Sequence, residues 1–190
     1  MSYIAGIDYG IKNPCMCLVP YSDSTDLTPF EECHFFYTSE VKSHVINHKN
    51  IHSTHMLQEG EQRYSTIAEY FVEQLKAYKV SQVGLEGYAF GAKGSSLTAL
   101  AENCGLLKYF LSESCIAVNI HAPTSIKKFA TGSGRATKED LYDMFALSSG
   151  VELNAIFGRL AGSKSPVSDM VDAYYISQFQ RFVRILEEAR

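Results

Sequence analysis

The sequence contains no tryptophan and lacks the usual marks of a secreted or membrane protein. Its five cysteines are odd in number and include no Cys-x-x-Cys pair, a pattern that argues against a disulfide framework and against a thiolate zinc site. No stretch approaches the roughly 20 consecutive apolar residues that a bilayer span needs, and no basic segment precedes an apolar run at the N-terminus. We therefore expect a cytoplasmic protein that is neither secreted nor inserted in a membrane.

The chain also lacks the excess of basic residues that is typical of nucleic-acid-binding domains. Its 17 Lys and Arg against 21 Asp and Glu give a formal net charge of −4. The charge is unevenly distributed, because residues 121–138 contain Lys127, Lys128, Arg135 and Lys138 and no acid. A length of 190 residues with 46% hydrophobic residues predicts one compact domain over residues 1–190.

The order of apolar patterns predicts an α/β fold. Residues 2–8 and 15–19 flank a turn and predict a hairpin, and a third strand follows near residues 34–41. A helix over 59–79, a strand over 80–88, a helix over 95–114 and a strand over 116–121 then form a βαβαβ pattern. We expect a mixed five-stranded sheet flanked by helices, with a polar, irregular insertion around 43–58. The last third is predicted to be helical, over residues 124–129, 137–148 and from 168 to about 188.

Four acidic residues stand where a ligand site would form. Asp8 and Glu86 each end an apolar strand, and the ends of neighbouring parallel strands form a ligand-binding crevice in open α/β sheets. Asp169 and Asp172 lie three residues apart in a mostly apolar helix. Four converging carboxylates need protons or divalent cations to balance their charge. Two Mg²⁺ or Mn²⁺ ions would do so, and such a pair supports phosphodiester hydrolysis. The simpler interpretation is that Asp8 and Glu86 end strands at the surface and that Asp169 caps a helix.

These motifs together resemble the RuvC family of Holliday-junction resolvases. The resemblance covers most of the chain and is carried by residues 6–10, 85–87, 125–138 and 169–173. It implies an RNase H-like fold and a homodimer that cuts four-way DNA junctions symmetrically with two Mg²⁺ ions, which Mn²⁺ can replace. It also implies that four acids are both metal ligands and catalytic residues: Asp8, Glu86, Asp169 and Asp172. Lys138 would be a further catalytic residue.

The resemblance further implies contacts to branched DNA. Lys127, Lys128, Arg135 and Lys138 would contact DNA near the cut, beside a helix that Thr137 is expected to cap. Tyr88 and Phe90 follow Glu86, and in this loop the family carries an aromatic residue that would stack on unpaired bases. For both aromatic side chains, packing beneath the loop is the alternative.

Three features depart from the family pattern. Tyr9 replaces the proline that is usual after the first aspartate in bacterial members, the stretch over residues 34–58 is longer, and the net charge is negative. These departures predict a divergent branch of the family, such as a phage or viral one. Four histidines (His44, His48, His52 and His55) recur every three or four residues, but no nearby cysteine completes a zinc site, so we favour a solvated insertion.

Competing functions share parts of this chemistry. Another RNase H-like nuclease, such as RNase H or a debranching enzyme for Y-forks and flaps, would use the same acids and differ in substrate. An actin-like ATPase would need two such domains, and a non-catalytic junction-binding protein would be expected to have lost one of the acids. We therefore predict a metal-dependent endonuclease that resolves four-way DNA junctions by paired symmetric nicks during recombination or repair. An apolar stripe on the helix over 95–114 agrees with a dimer.

Overall fold

The structure of the chain, a computed structural model, describes residues 2–56, 60–87, 95–158 and 160–189. The strands in these ranges are β1 (Tyr3–Asp8), β2 (Cys15–Pro20), β3 (His34–Ser39), β4 (Asn47–His48), β5 (Ile51–His55), β6 (Gln82–Glu86) and β7 (Ala117–His121). The helices are α1 (Gly60–Ala77), α2 (Ser95–Glu113), α3 (Pro123–Thr131), α4 (Lys138–Ser149), α5 (Leu153–Ile156) and α6 (Val167–Glu188).

The strands form one mixed sheet in the order β4-β5-β3-β2-β1-β6-β7. The predicted hairpin start is confirmed by the antiparallel pairing of β1 with β2 and of β2 with β3. The predicted parallel group is confirmed by the pairing of β1 with β6 and of β6 with β7. The mixed α/β sheet flanked by helices is therefore the predicted fold.

The strand count and the insertion differ from the prediction. We expected five strands, and the described residues form seven, because the supposedly irregular insertion supplies β4 and β5. Strand β5 pairs in parallel with β3 and buries Ile51, while the rest of β5 stays partly exposed. Backbone pairing along the open edge of β3 stabilises this segment. Its side chains are mostly polar, so the sequence shows no alternation of apolar residues from which a strand could be recognised.

Two layers of helices cover the two faces of the sheet. On one face, α1 and α2 contribute the fully buried side chains Ile67, Phe71, Leu75, Leu107 and Leu111. On the other face, α6 packs on β1 and β2, and α3 and α4 pack beside it. This second face includes the buried aromatic rings of Phe35, Tyr37, Phe145, Tyr174 and Tyr175.

Two glycines bring α6 unusually close to the sheet. Gly6 of β1 and Gly84 of β6 are register partners. A Cβ atom on Gly6 would lie 2.1 Å from the backbone nitrogen of Ser177, and one on Gly84 would lie 2.9 Å from the Cβ of Gln180. Since such distances are sterically forbidden, only glycine permits this approach. The helix α6 therefore lies directly against the backbone of the two central strands.

The start of α4 agrees with the sequence prediction. The Thr137 hydroxyl accepts a hydrogen bond from the backbone N–H of Asp140 at 3.1 Å, and the Asp140 carboxylate accepts one from the backbone N–H of Thr137 at 2.7 Å. This reciprocal capping box satisfies two backbone donors and fixes the first turn of α4. Within the described ranges, no helix is both long enough and apolar enough to cross a membrane.

Candidate active site

The pleat of the two central strands directs two carboxylates toward α6. Side chains alternate between the faces of a strand, so Asp8 shares the face of Gly6 and Glu86 shares the face of Gly84. Strands β1 and β6 are parallel and in register at this end, where Ile7 pairs with Leu85. Both acids therefore leave the sheet at the same edge and on the face that α6 covers.

Asp169 and Asp172 complete the group from the first two turns of α6. Their side chains are 15% and 19% exposed, so both remain reachable from solvent. The negative charges of both residues act on Asp8, and that of Asp172 also acts on Glu86. The structure thus brings together all four acids that the sequence predicted, from two strands and one helix.

Burial and mutual repulsion make full ionisation of this group costly. Burial raises the pKa of Asp8 well above its usual value, and the charges of Asp172, Asp169 and Glu86 raise it further. Burial and the charge of Asp172 raise the pKa of Glu86 to about 7. Burial likewise raises the pKa values of Asp169 and Asp172. A nearby positive charge would offset this repulsion, lower the pKa values and favour the ionised carboxylates.

Lys138 supplies one such charge from the first position of α4. Its Nζ lies 3.3 Å from Oδ2 of Asp172 and 3.9 Å from Oδ1 of Asp169, and it donates a hydrogen bond to the Ser168 hydroxyl at 3.3 Å. Burial lowers the pKa of Lys138, but the charges of Asp172, Asp169 and Asp8 outweigh this effect and raise the pKa overall. The ammonium is therefore retained at neutral pH beside the four carboxylates.

The other predicted basic residues lie at different distances from the acids. Lys127 donates from Nζ to the Ala136 carbonyl at 2.7 Å, and its charge opposes the burial that raises the pKa values of Glu86 and Asp172. Lys128 is exposed on α3. Arg135 lines a separate cleft of about 440 Å³ beside Asp140 and Asp143. The structure brings Lys127 and Lys138 to the acids, whereas Lys128 and Arg135 lie on the surrounding surface.

The predicted aromatic contacts, Tyr88 and Phe90, lie outside the described residues. The structure does reveal hydrogen bonds that sequence reasoning missed. The Ser165 hydroxyl donates to Oδ2 of Asp169, and the Ser168 hydroxyl donates to Oδ1 at 3.3 Å. Asn13 donates from Nδ2 to the Ser165 hydroxyl at 2.8 Å. Asn13 and Ser165 stand 152 positions apart in the sequence, and no local pattern connects them.

The donor set fits a hard divalent cation. All four acids offer carboxylate oxygens, which Mg²⁺ and Mn²⁺ prefer, and a bound cation would counteract the burial that raises their pKa values. Among the residues that the structure describes, no three His, Cys, Asp or Glu side chains are arranged to hold a metal ion as they stand. Asp8, Glu86, Asp169 and Asp172 are the residues that would hold a divalent cation at this edge of the sheet.

Comparison with known proteins gives consistent results. The family model described as crossover junction endodeoxyribonuclease RuvC matches residues 36–149. RuvC of Treponema denticola is 25% identical over 149 residues, which cover 78% of this chain and 74% of that protein. Divalent-cation-dependent nuclease activity is general in this family.

Solved structures of RuvC and of a related Holliday junction resolvase share the fold. Thermus thermophilus RuvC aligns with a TM-score of 0.66 at 18% identity, covering 97% of this chain and 96% of that chain. T. thermophilus RuvC in complex with Holliday junction substrate aligns with a TM-score of 0.67 at 18% identity, covering 98% and 97%. The yeast mitochondrial Holliday junction resolvase aligns with a TM-score of 0.53 at 15% identity, covering 100% and 82%.

The family match and the site geometry are complementary. The matched range runs from β3 to the end of α4 and includes Glu86 and Lys138, while Asp8, Asp169 and Asp172 lie outside it. The case for those three acids therefore rests on their position beside Glu86 in the fold. Because the match over residues 36–149 covers more than half of the 190 residues, we conclude that the chain belongs to the RuvC family of crossover junction endodeoxyribonucleases.

Proposed function

We propose that this protein resolves four-way DNA junctions by paired symmetric nicks, as a divalent-metal-dependent endonuclease of recombination, repair or DNA processing. One observation carries the proposal: four carboxylates from two strands and one helix meet at the edge of the sheet, and the Lys138 ammonium lies 3.3 Å from Asp172. The family match and the likeness to T. thermophilus RuvC, solved with Holliday junction substrate, support a branched DNA substrate. We infer that the protein acts in the cytoplasm, as one nuclease domain spanning the chain.

Two Mg²⁺ ions, or Mn²⁺ in their place, fit the charge of the acid cluster. Asp8, Glu86, Asp169 and Asp172 would hold them, and four negative charges match two divalent cations. When bound, such ions supply an activated water and stabilise the leaving oxygen during phosphodiester hydrolysis. The four carboxylates would hold the ions, and the scissile phosphate would have to lie beside them.

Lys138 is suited to contact that phosphate. Its side chain is 47% exposed, so the ammonium can turn from Asp172 and Asp169 toward a bound strand. The capping box of Thr137 and Asp140 fixes the turn that carries it. A positioned ammonium stabilises the charge that develops on the phosphate in the transition state. Lys127, which contacts the Ala136 carbonyl, adds positive charge on the same side.

Surface features around the acids offer a path for DNA. Lys128 and Arg135 are exposed and would contact the phosphate backbone. A cleft of about 390 Å³ adjoins Asp169 and is lined by Lys12 and Leu100 among others, which leaves room for a nucleotide beside the scissile phosphate. Tyr88 and Phe90 follow Glu86 in sequence, and we propose that they stack on unpaired bases at the junction centre.

Symmetric cleavage of two strands needs two active sites, which a homodimer provides. Tyr109 of α2 is 58% exposed and Ile120 of the outermost strand β7 is 52% exposed. A shallow groove between these elements is lined by Ile116, Val118 and Ile120. Exposed apolar surface of this kind is typical of protein interfaces, and we propose that α2 and β7 form the dimer contact.

A cleavage assay tests the substrate. An immobile four-way junction, a Y-fork, a flap, a duplex and an RNA–DNA hybrid are compared with Mg²⁺, Mn²⁺ or EDTA. We expect paired, symmetrically placed nicks in the junction with either metal and no cleavage in EDTA. Equal or better cutting of Y-forks and flaps would identify a general debranching nuclease instead, and cutting of the hybrid would identify an RNase H.

Asp172→Asn tests the metal site in the same assay, with the exposed Asp23→Asn as the matched control. Loss of a metal-ligating carboxylate should reduce cleavage by more than the about 10–100-fold that loss of a hydrogen-bond partner of such a ligand typically costs. Junction binding in EDTA should persist, because the variant carries one negative charge less. Cleavage by Asp172→Asn at the level of Asp23→Asn would refute the assignment of the acids as metal ligands.

A further inference from the structure

The loop between β1 and β2 reaches the active site through two consecutive hydrogen bonds. Asn13 of this loop donates from Nδ2 to the Ser165 hydroxyl at 2.8 Å, and Ser165 donates to Oδ2 of Asp169. Ser165 precedes α6 and therefore belongs to the opposite end of the chain. The Asp169 carboxylate is thus oriented by a side chain from the N-terminal hairpin.

The same loop is fixed at its other side by a buried arginine. Arg63 of α1 is 3% exposed, and its two terminal nitrogens donate to the carbonyls of Ile11 and Lys12, the latter at 2.6 Å. Its Nη1 also lies 3.2 Å from the carboxylate of Glu40, which follows β3. The planar, forked guanidinium is suited to holding two neighbouring carbonyls at once.

The contacts of Asn13 and Ser165 are polar and do not belong to the apolar core. Asn13 and Ser165 are half-buried and line the cleft beside Asp169, outside the two apolar clusters. Their side chains contribute hydrogen bonds rather than apolar area. Hydrogen bonds to a metal-ligating carboxylate fix its orientation, and their loss typically costs about 10–100-fold in metal affinity or activity.

We propose that Asn13 and Ser165 are positioning residues that orient Asp169 for divalent-cation binding, on a loop that Arg63 holds in place. This inference rests on the proposed function, because it assigns Asp169 as a metal ligand. Ser165 acts directly on the Asp169 carboxylate, and Asn13 acts through Ser165. The two residues therefore form one relay with a defined order.

The order of the relay predicts a specific pattern of effects. Mg²⁺ binding is measured without DNA, by calorimetry and by the rise in the thermal unfolding midpoint on Mg²⁺ addition. Ser165→Ala should raise the Mg²⁺ concentration for half-saturation by about 10-fold or more, and Asn13→Ala by a smaller factor. The double variant should match Ser165→Ala alone, because Asn13 has no route to Asp169 once Ser165 is removed.

Controls separate positioning from folding. Ser165→Thr keeps the hydroxyl and should restore most of the Mg²⁺ affinity, and Ser24→Ala in an exposed loop should leave it unchanged. All variants should keep the metal-free unfolding midpoint close to that of the parent protein. Asn13→Ala alters a partly exposed loop, so it tests the relay even where Ser165→Ala lowers the yield of folded protein.

The outcomes distinguish this inference from the proposed function. Parent-like Mg²⁺ affinity in Ser165→Ala, together with loss of cleavage in Asp172→Asn, would overturn the relay and leave the nuclease intact. Effects of Asn13→Ala and Ser165→Ala that multiply in the double variant would also overturn it, because the residues would then act independently. Retained cleavage in Asp172→Asn would instead remove the metal site on which the inference rests.

Discussion

The two faces of the central sheet are built for different tasks. The face covered by α1 and α2 is filled by aliphatic and aromatic side chains such as Phe71 and Leu107. Both helical layers also bury polar groups: Arg63 and Asn103 on α1 and α2, and Ser177, Gln178 and Arg181 on α6. The four acids meet on the face covered by α6. The difference between the two faces is therefore that α6 packs on the sheet and also carries Asp169 and Asp172 to the acids at the ends of β1 and β6.

The alternation of residues along β1 shows how one strand serves both faces. Ala5 and Ile7 are buried in the cluster formed with α1 and α2, whereas Gly6 lies against α6. A side chain at position 6 would separate α6 from the strand, and with it Asp172 from Asp8. Close backbone approach is thus required on the face with the acids and not on the other.

The largest expected loss of stability comes from the α1–α2 face. Phe71 is fully buried there, and Phe71→Ala should lower the free energy of unfolding by about 3–5 kcal/mol, because it removes apolar contacts and leaves a cavity. Chemical denaturation measures this loss. The Mg²⁺ concentration for half-maximal cleavage by the folded fraction should stay unchanged, and an altered Mg²⁺ requirement would contradict the division of tasks between the faces.

Gly6→Ala should damage both stability and cleavage. Its Cβ would meet the backbone of Ser177, so α6 must shift, at a typical cost of about 1–3 kcal/mol, and the acids on α6 move away from Asp8. Gly105→Ala in α2 is the matched control, since no atom lies within 4 Å of its Cβ position. Replacing a glycine inside a helix should stabilise the protein by about 0.5–1 kcal/mol. Similar outcomes for the two variants would show that close packing of α6 is not required.

Lys138→Ala should reduce cleavage by about 100-fold with little loss of stability, because it removes the ammonium nearest the acids. It should also lower the slope of junction affinity against salt concentration by about one, as expected for one lost phosphate contact. Lys49→Ala, an exposed residue of the insertion, serves as the control. An unchanged salt slope and cleavage rate would exclude contact between Lys138 and the strand.

The smallest expected effect is the pH dependence of stability that arises from two histidines at the β3–β5 edge, away from the acids. His34 lies over His52 with ring centroids 6.1 Å apart and contacts the Tyr78 hydroxyl at 3.4 Å. Burial lowers the pKa of both histidines, and the charge of His52 lowers that of His34 further. The folded state therefore binds fewer protons than the unfolded state, so their contribution to stability is intact above pH about 6.5 and falls as the pH decreases through that value.

His34→Gln tests this linkage. When the pH is lowered from about 7.5 to about 5.5, the free energy of unfolding should fall less in the variant than in the parent protein. An equal fall in both proteins would show that His34 does not contribute to the acid sensitivity.

Local sequence signals predicted much of the fold. The capping box at Thr137 and Asp140 was recognisable because its partners are three residues apart. The positions of Asp8 and Glu86 at strand ends followed from short apolar runs. By contrast, β5 was missed because its stability comes from pairing with β3 rather than from an apolar period of its own.

The sequence by itself determined the order of the elements other than β4, β5 and the short α5, and it located the four acids and the basic segment around Lys138. Each of these features is encoded by residues that are neighbours in the sequence. The tertiary structure alone decided how close α6 lies to Gly6 and Gly84, and which side chains orient Asp169. The contacts of Arg63 with the Ile11 carbonyl and of Asn13 with Ser165 span 52 and 152 positions. Such contacts arise from the packing of distant segments, so only the folded chain reveals them.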